Sequence, residues 1–216
     1  TGAAFTTATN YAVTLSDTTA SAANIKLINA DSTGAIDMSA VTTISSSSTS
    51  DVLEIVQNTG AAFTTATNYA VTLSDTASAA NADLIMADTT GIVTATVTAT
   101  GAVAALNTAL GNASATDALT MVLDATTASA ADLNTLNGKT SVAIDSTSIT
   151  DVTSSAVADV QTMVTNIAAI GLDSDWNVTL SDTTLAASAA AAVNVGTSGT
   201  IDMSAATTIS SSSISD

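Results

Sequence analysis

Acidic side chains recur at fixed positions along this chain, and they are the residues whose type and spacing could do chemistry. The segment VTLSD and its variant MVLD end in one column of aspartates: Asp17, Asp75, Asp124 and Asp182. A second column is interrupted at Thr94 and consists of Asp37, Asp145 and Asp202. Carboxylate oxygens are the ligands that Ca²⁺ and other hard cations prefer. A line of Ca²⁺ ions between successive carboxylates is therefore one hypothesis for these columns.

A second role competes with cation binding at both columns. If successive aspartates lie one strand spacing apart, about 4.8 Å, neighbouring charges repel by roughly 0.9 kcal/mol in bulk water. Bridging cations would offset that repulsion. Alternatively, each carboxylate caps a turn or a helix amide and points to solvent. The sequence favours capping, because Ca²⁺ usually needs several oxygen ligands per ion.

The residue types give no support to catalysis. The chain has no His and no Cys, so its many Ser residues lack an imidazole base and thiol chemistry is excluded. The only glutamate, Glu54, follows Asp51 on one predicted helix, whereas glycoside hydrolysis needs two acids that face each other across a cleft. We therefore expect a protein that is not an enzyme and has no organic cofactor.

Charge limits the partners. Lys26 and Lys139 are the only basic residues, and the net charge is −17. Binding to nucleic acid needs Lys and Arg to neutralise phosphates, and anionic membrane surfaces need the same residues. No apolar run reaches the eighteen or so residues of a membrane span. The Thr-, Ser-, Ala- and Asp-rich composition is typical of an exported protein in salty water, so we expect an extracellular or cell-surface location.

Internal repetition sets the organisation of the chain. Residues 1–18 recur unchanged at 59–76, and residues 33–51 recur with few changes at 198–216. The VTLSD-type anchors follow one another at intervals of 58, 49 and 58 residues. Periods of this size are typical of solenoids, propellers and other arrays. The sequence predicts one repeat array over 1–216 that is a fragment of a longer chain, with repeat units of approximately 1–58, 59–107, 108–165 and 166–216.

Each repeat unit reads as strand, helix, strand, helix, with halves of about 25 residues. The alternation in YAVTLSD (69–75) predicts a half-buried strand. Capping boxes at Ser129–Asp132 and Ser48–Asp51, with weaker versions at Ser21 and Ser78, predict helix starts. Gly138 is expected to end one helix in a left-handed conformation. Alternating strands and helices imply parallel strands, so the predicted fold is an α/β repeat solenoid with parallel strand ladders and short helices, about four units long.

Two finer expectations concern the strands. In residues 34–45, Ile36 and Met38 share a face but Val41 is out of phase, which predicts a corner or bulge around Ala40. The common phase of the anchors predicts one parallel ladder in which four strands lie side by side: 13–15, 71–73, 121–123 and 178–180.

Three phrases carry a family resemblance: VTLSDTASAA (71–80), TTASAADLNTLNG (126–138) and SAVADVQTMV (155–164). They resemble the Ala/Thr/Asp-rich repeats of very large secreted or cell-surface proteins of marine cyanobacteria and other marine bacteria. The resemblance implies a surface-layer, motility, adhesion or matrix role and brings no catalytic residues. Such arrays are often joined to calcium-binding nonapeptide repeats, but this chain has no GGxGxD segment.

The sequence thus predicts a structural segment of an extracellular fibre, surface layer or adhesin. The alternative is a glycan- or ice-binding module of a surface or phage fibre, for which the alternating row from Thr94 to Thr100 or a pocket with Trp176 would be the recognition surface. Trp176 is otherwise expected to be a packing residue. We expect further repeats or copies of the chain to join end to end at an open apolar groove near the C-terminus, lined by Ile201, Ile209 and Ile214.

Overall fold

The computed structural model describes residues 8–58, 60 and 62–210. It is an α/β structure, with eight helices among the described residues. Every strand pair of known register in it is parallel. The chain divides into two compact regions, Thr1–Val97 and Thr98–Asp216.

The first compact region alternates short strands with helices, and its last strand runs past the boundary. Its elements are β1 (Val13–Thr14), β2 (Thr19–Ala20), α1 (Ala22–Asp31), β3 (Ile36–Met38), β4 (Thr43–Ser47), α2 (Thr49–Val56), β5 (Phe63–Thr65), β6 (Ala70–Ser78), α3 (Ala79–Asp88) and β7 (Val93–Ala99).

The second compact region continues this alternation. Its elements are α4 (Val103–Ala109), β8 (Ala118–Leu123), β9 (Thr127–Ala128), α5 (Ala130–Asn137), β10 (Asp151–Ser155), α6 (Val157–Thr165), α7 (Ile167–Ile170), β11 (Asn177–Leu180), β12 (Thr184–Ala186), α8 (Ala187–Asn194), β13 (Ile201–Asp202) and β14 (Thr208–Ser210).

Strands pair with the strand that lies one lap away, where a lap is the stretch of chain between a residue and its ladder partner. In the first region Val13 pairs with Ile36, which pairs in turn with Phe63. A second ladder joins β2, β4 and β6, in which Ile44 pairs with Val71. In the second region one ladder runs through β9, β10, β11 and β13, and another joins β12 to β14.

The prediction that the anchor strands form one ladder is wrong. Val13 belongs to the ladder of Ile36, whereas Val71 belongs to the ladder of Ile44. In the second region Val122 bridges to Asp145, whereas Val178 pairs with Val152. Successive anchors within a region therefore occupy different ladders.

The reason lies in two different periods. Two laps take the chain from Val13 through Ile36 to Phe63, which is 50 residues. The repeat unit is 58 residues long, so the recurring sequence arrives eight residues later, at Val71 instead of Phe63. Eight residues span one strand and its turn, and the same sequence therefore starts the next ladder. A period read from sequence identity does not give the lap length.

The helices begin where the capping boxes predict. The N-caps Ser21, Ser48, Ser78 and Ser129 each accept a hydrogen bond from the backbone N–H three residues later. Helix α5 ends at Asn137, but Gly138 has φ −72° and is right-handed, so the predicted left-handed stop is wrong. Within each region the helices pack on one another in chain order: α1, α2 and α3 in the first, and α4, α5, α6 and α8 in the second.

The core lies between the strands and the helices and consists mainly of Ile, Val, Leu, Met and Ala. Strand β7 shows the pattern clearly, because its side chains alternate between buried and exposed along the whole strand. The predicted corner is confirmed: β3 ends at Met38, a turn follows at Ser39 and Ala40, and Val41 returns to the core at 1% exposed. The small core residues fit closely spaced laps.

Candidate functional site

In the first aspartate column, Asp75 ties its own lap to the helix of the lap before it. Asp75 Oδ1 accepts hydrogen bonds from the backbone N–H of Thr49 at 2.8 Å and from its hydroxyl at 2.7 Å. Thr49 is the first residue of α2, so the carboxylate satisfies an N–H that has no partner inside the helix. The negative charge also lies at the positive end of the helix dipole.

Two further members of the column bind backbone N–H groups at or just before a helix one lap earlier in the second region. Asp182 Oδ2 accepts from the N–H of Val157, the first residue of α6, at 2.7 Å. Asp124 Oδ1 accepts from the N–H of Gly101, just before α4, at 2.7 Å. Helices α4 and α6 have no side-chain bond from their own N-cap residue. Asp182 supplies an acceptor for the first N–H of α6, whereas Asp124 binds the residue before the N-cap of α4.

Asp17 is the exception in this column. It ends an 18-residue segment identical to the one around Asp75, yet it makes no hydrogen bond or ion pair with any residue that the structure describes. Asp17 and Asp75 therefore share their local sequence and differ in their described hydrogen-bond partners.

Buried serines do the same work for the alternate helices. Ser47 Oγ accepts from the N–H of Ala22, the first residue of α1, at 2.8 Å. Ser155 Oγ accepts from the N–H of Ala130, the first residue of α5, at 2.9 Å. Both serines follow a break in strand register, where the preceding residues have positive φ: Ser46 at 32° and Ser154 at 41°. The bulge turns the following side chain into the interior.

The second aspartate column makes local turns. The Oδ1 atoms of Asp37, Asp145 and Asp202 each accept a hydrogen bond from the N–H two residues later, at 3.0, 3.2 and 2.8 Å. These bonds lower the pKa of all three carboxyl groups: the backbone N–H is the main cause at Asp37 and Asp202, and the Thr147 hydroxyl at Asp145. This is the hydrogen-bonding pattern of an Asx turn.

The aspartates of the first column do not stack in one ladder, contrary to the expectation from the sequence. Asp17 follows β1, which pairs with β3, whereas Asp75 lies in β6, which pairs with β4. These two carboxylates are therefore not stacked one strand spacing apart, and the repulsion that called for bridging cations does not arise between them.

No three acidic side chains within the described part of the chain come together as a metal site. The six capping or turn-forming aspartates of the two columns already accept hydrogen bonds from the protein. Cation binding at these columns stays a prediction.

A third recurring group was not recognised in the sequence. A buried Ser or Thr stands two residues before a glycine, and its hydroxyl donates to the carbonyl of an aromatic residue about twenty positions earlier. Thr89 donates to Tyr69 O at 2.6 Å and Thr197 to Trp176 O at 2.5 Å, and Ser32 does the same with Tyr11. A side chain on Gly91 or Gly199 would clash with those same carbonyl oxygens. The recurring [ST]-x-G signal at 32–34, 89–91 and 197–199 could have revealed it.

The hydrogen-bond partner of the aromatic side chain in this group differs between the three copies. The hydroxyl of Tyr69 donates to Asp88 Oδ2 at 2.6 Å, and Tyr11 donates in the same way to Asp31. Burial, followed by the bond to Asp88, raises the pKa of Tyr69 well above its ordinary value. At the third position Trp176 replaces Tyr and Gly196 replaces Asp, and the buried indole Nε1 has no hydrogen-bond acceptor among the described residues.

Trp176 is 1% exposed. It is a packing residue, as expected, and offers no open face for stacking on a sugar. The hydroxyls of β7 at Thr94, Thr96 and Thr98 do lie on the exposed side of their strand. The equivalent positions in the first repeat unit are Asp37, Ser39 and Val41, so the row of hydroxyls does not recur there.

An open groove of about 550 Å³ lies against the last helix and strands of the second region. Its lining is Ala187, Ala190, Ala191 and Asn194 of α8 with Gly199, Ile201, Met203 and Ile209. Ile201 and Ile209 were expected to line such a groove, and Ile214 lies outside the described residues. Strand β13 is at the edge of its sheet, and β14 pairs only with β12 among the described strands.

None of the described helices has the length and apolar character needed to cross a membrane. Comparison of the chain with protein-family models, with curated proteins and with solved structures finds no match.

Proposed function

We propose that this chain is a non-enzymatic structural segment of an extracellular fibre, surface layer or adhesin, built as an α/β solenoid. The observation that carries the proposal is the capping of helices from the next lap. Helices α1, α2, α5 and α6 have their first N–H bound by Ser47, Asp75, Ser155 and Asp182, each 25 or 26 residues further along the chain.

Such caps make neighbouring laps depend on one another. In a solenoid, stability is a sum of the intrinsic stabilities of the repeats and the interfaces between neighbours. A chain whose polar contacts run mainly between adjacent laps is suited to carrying load along the stacking direction. Asp75, Asp124 and Asp182 of the first column make such contacts between laps, and the sequence contains no His or Cys to support a reaction.

The acidic composition supports an extracellular setting. With two basic residues and a net charge of −17, the segment repels other copies of itself unless salt screens the charge. Seawater-like ionic strength provides that screening, in agreement with the resemblance to the repeats of marine bacterial surface proteins.

Two measurements test the proposal. Small-angle scattering of the purified chain should give a rod-like particle, whereas the scattering of a compact sphere would contradict the solenoid. Immunogold labelling of intact source cells with an antibody to the chain should mark the cell surface or its appendages. Labelling that requires permeabilised cells would contradict the extracellular role.

A further inference from the structure

The groove of the second region is a surface that the same chain covers elsewhere. Residues 178–210 align without a gap with residues 13–45, and both copies form the same strand pairs. Each groove residue therefore has a counterpart in the first region. The eight counterparts, in groove order, are Ala22, Ile25, Lys26, Asn29, Gly34, Ile36, Met38 and Ile44.

The two copies differ in burial. Ile36, Met38 and Ile44 are 0%, 1% and 0% exposed, whereas Met203 is 38% and Ile209 is 52% exposed. In the first region the following lap covers these side chains, since Ile36 pairs with Phe63 and Ile44 with Val71. Among the described residues, nothing pairs with the far sides of β13 and β14.

The helical half of the surface shows the same contrast. Helix α2 packs on α1, with Lys26 Nζ 2.9 Å from Asp51 Oδ1 and Asn29 Nδ2 donating to Glu54 Oε1 at 2.6 Å. The buried residues of α2 include Val52 and Ile55. No helix among the described residues follows α8 to cover it in this way.

We propose that this groove binds a further lap of the chain's own repeat type, an amphipathic helix followed by two strands, with the sequence type of residues 49–73. The inference rests on the proposed solenoid and names the segment that would extend it. The far edges of β13 and β14 bind its strands by parallel pairing, with the Phe63-type residue opposite Ile201 and the Val71-type residue opposite Ile209.

The occupant must bring a helix as well as strands. Half of the groove lining belongs to α8. The counterpart of α8 in the first region, α1, is covered by the helix α2 of the following lap. A lap that includes its helix therefore matches the whole groove.

The groove also differs from its covered counterpart in charge. Ala191 takes the place of Lys26, so the acidic residues of an incoming helix find no cation there. Asn194 keeps the place of Asn29 and can donate to a Glu54-type carboxylate. Apolar contact and strand pairing therefore carry the binding, and added salt should strengthen it by screening the repulsion between two acidic partners.

The test uses the full chain and a synthetic peptide of residues 48–75, titrated by calorimetry. We expect one peptide per chain, because the equivalent surface of the first region is already covered. Hydrogen exchange should show new protection at 199–210 and none at 34–45. A control peptide with Val52→Asp and Ile55→Asp should bind at least tenfold more weakly.

Two groove variants, Ile209→Asp and Met203→Asp, should weaken peptide binding at least tenfold. Both side chains are exposed, so the variants should keep the circular dichroism spectrum of the parent. A covalent version checks the same contact: appending residues 52–75 after Asp216 should raise the unfolding midpoint, and the same extension with Val52→Asp and Ile55→Asp should not.

Three results would overturn the inference. The first is absence of peptide binding together with no gain from the extension, as expected if residues 211–216 fill the groove. The second is peptide binding that the groove variants do not weaken. The third is self-association of the chain alone through the 199–210 strands, detected by sedimentation and hydrogen exchange, since the occupant would then be a second copy. A rod-like scattering profile with a failed titration would leave the solenoid standing and reject only this inference.

Discussion

The hydrogen bonds of a carboxylate in this protein depend on the neighbouring lap. Asp17 and Asp75 have the same eighteen-residue context, yet only Asp75 has a described partner, the first turn of α2. The hydroxyl of Thr49, followed by its backbone N–H, lowers the pKa of Asp75. A lowered carboxyl pKa adds stability that is present above the unfolded value of 3.8 and is lost as pH falls through the folded value.

This pair gives a matched experiment. Asp75→Ala removes the acceptor of the Thr49 N–H and hydroxyl at the start of α2, where the N-cap Ser48 remains, and should lower the free energy of unfolding by about 1 kcal/mol at pH 7. Asp17→Ala should leave it nearly unchanged. Urea unfolding followed by circular dichroism measures both variants, and equal losses would contradict the assignment of the cap.

Tyr69 gives the opposite pH dependence. Its pKa is raised by burial and by Asp88, so its contribution to stability is complete below pH 10.0, the ordinary tyrosine value, and is lost as pH rises toward the folded pKa. Tyr69→Phe should cost about 1 kcal/mol at pH 7 because Asp88 loses a donor. The variant should also lose less stability than the parent between roughly pH 10 and 12. Identical alkaline profiles would contradict this account.

At the scale of the elements, the bulges in β4 and β10 orient a serine side chain toward the N-terminus of a helix. The positive φ of Ser46 and Ser154 is unfavourable for a residue with a side chain, and the following serine gains a buried bond to a helix N-terminus. Local strain is thus offset by a contact between laps.

The bulge can be tested with neighbouring substitutions. Ser155→Ala leaves the buried N–H of Ala130 without its acceptor and should lower the free energy of unfolding by about 1–3 kcal/mol. Ser154 has a positive φ of 41°, which glycine adopts without steric cost. Ser154→Gly should therefore leave the free energy of unfolding unchanged or raise it by up to about 1 kcal/mol. Thermal unfolding compares them, and a more stable Ser155→Ala protein would refute the capping role.

Sequence patterns predicted what is local and missed what crosses laps. The N-caps Ser21, Ser48, Ser78 and Ser129 could be read because the cap and its amide are three residues apart. The bond from Thr49 to Asp75 could not, because it depends on which strands become neighbours. The strands that become neighbours are set by the lap length, which is 23 to 27 residues. The longer period at which the sequence repeats does not reveal this lap length.

At the scale of the whole molecule, charge sets the conditions for stability. The net charge of −17 includes several aspartates at recurring positions, although Asp17 and Asp75 belong to strands of different ladders. Their mutual repulsion is long-ranged enough for salt to screen, since the Debye length at 0.1 M is about 10 Å.

Stability should therefore rise with NaCl. At constant ionic strength CaCl₂ should add a further rise only if cations bridge carboxylates, as the Asp17-type and Asp37-type columns were predicted to allow. Thermal melting across both salts separates screening from site binding. A melting temperature indifferent to NaCl would contradict the role of repulsion, and one that Ca²⁺ does not raise beyond the NaCl effect would remove the bridging cations.

The mismatch between the 50-residue double lap and the 58-residue repeat unit has a consequence for misfolding. Identical β-rich segments without proline and with little charge are prone to stack on their own copies as amyloid. Here Val13 lies beside Ile36 and Val71 beside Ile44, so the identical segments are never ladder neighbours in the first region. A long chain of near-identical repeats can thus avoid pairing identical segments in cross-β register. A deletion of one lap would promote aggregation if it made two identical segments ladder neighbours.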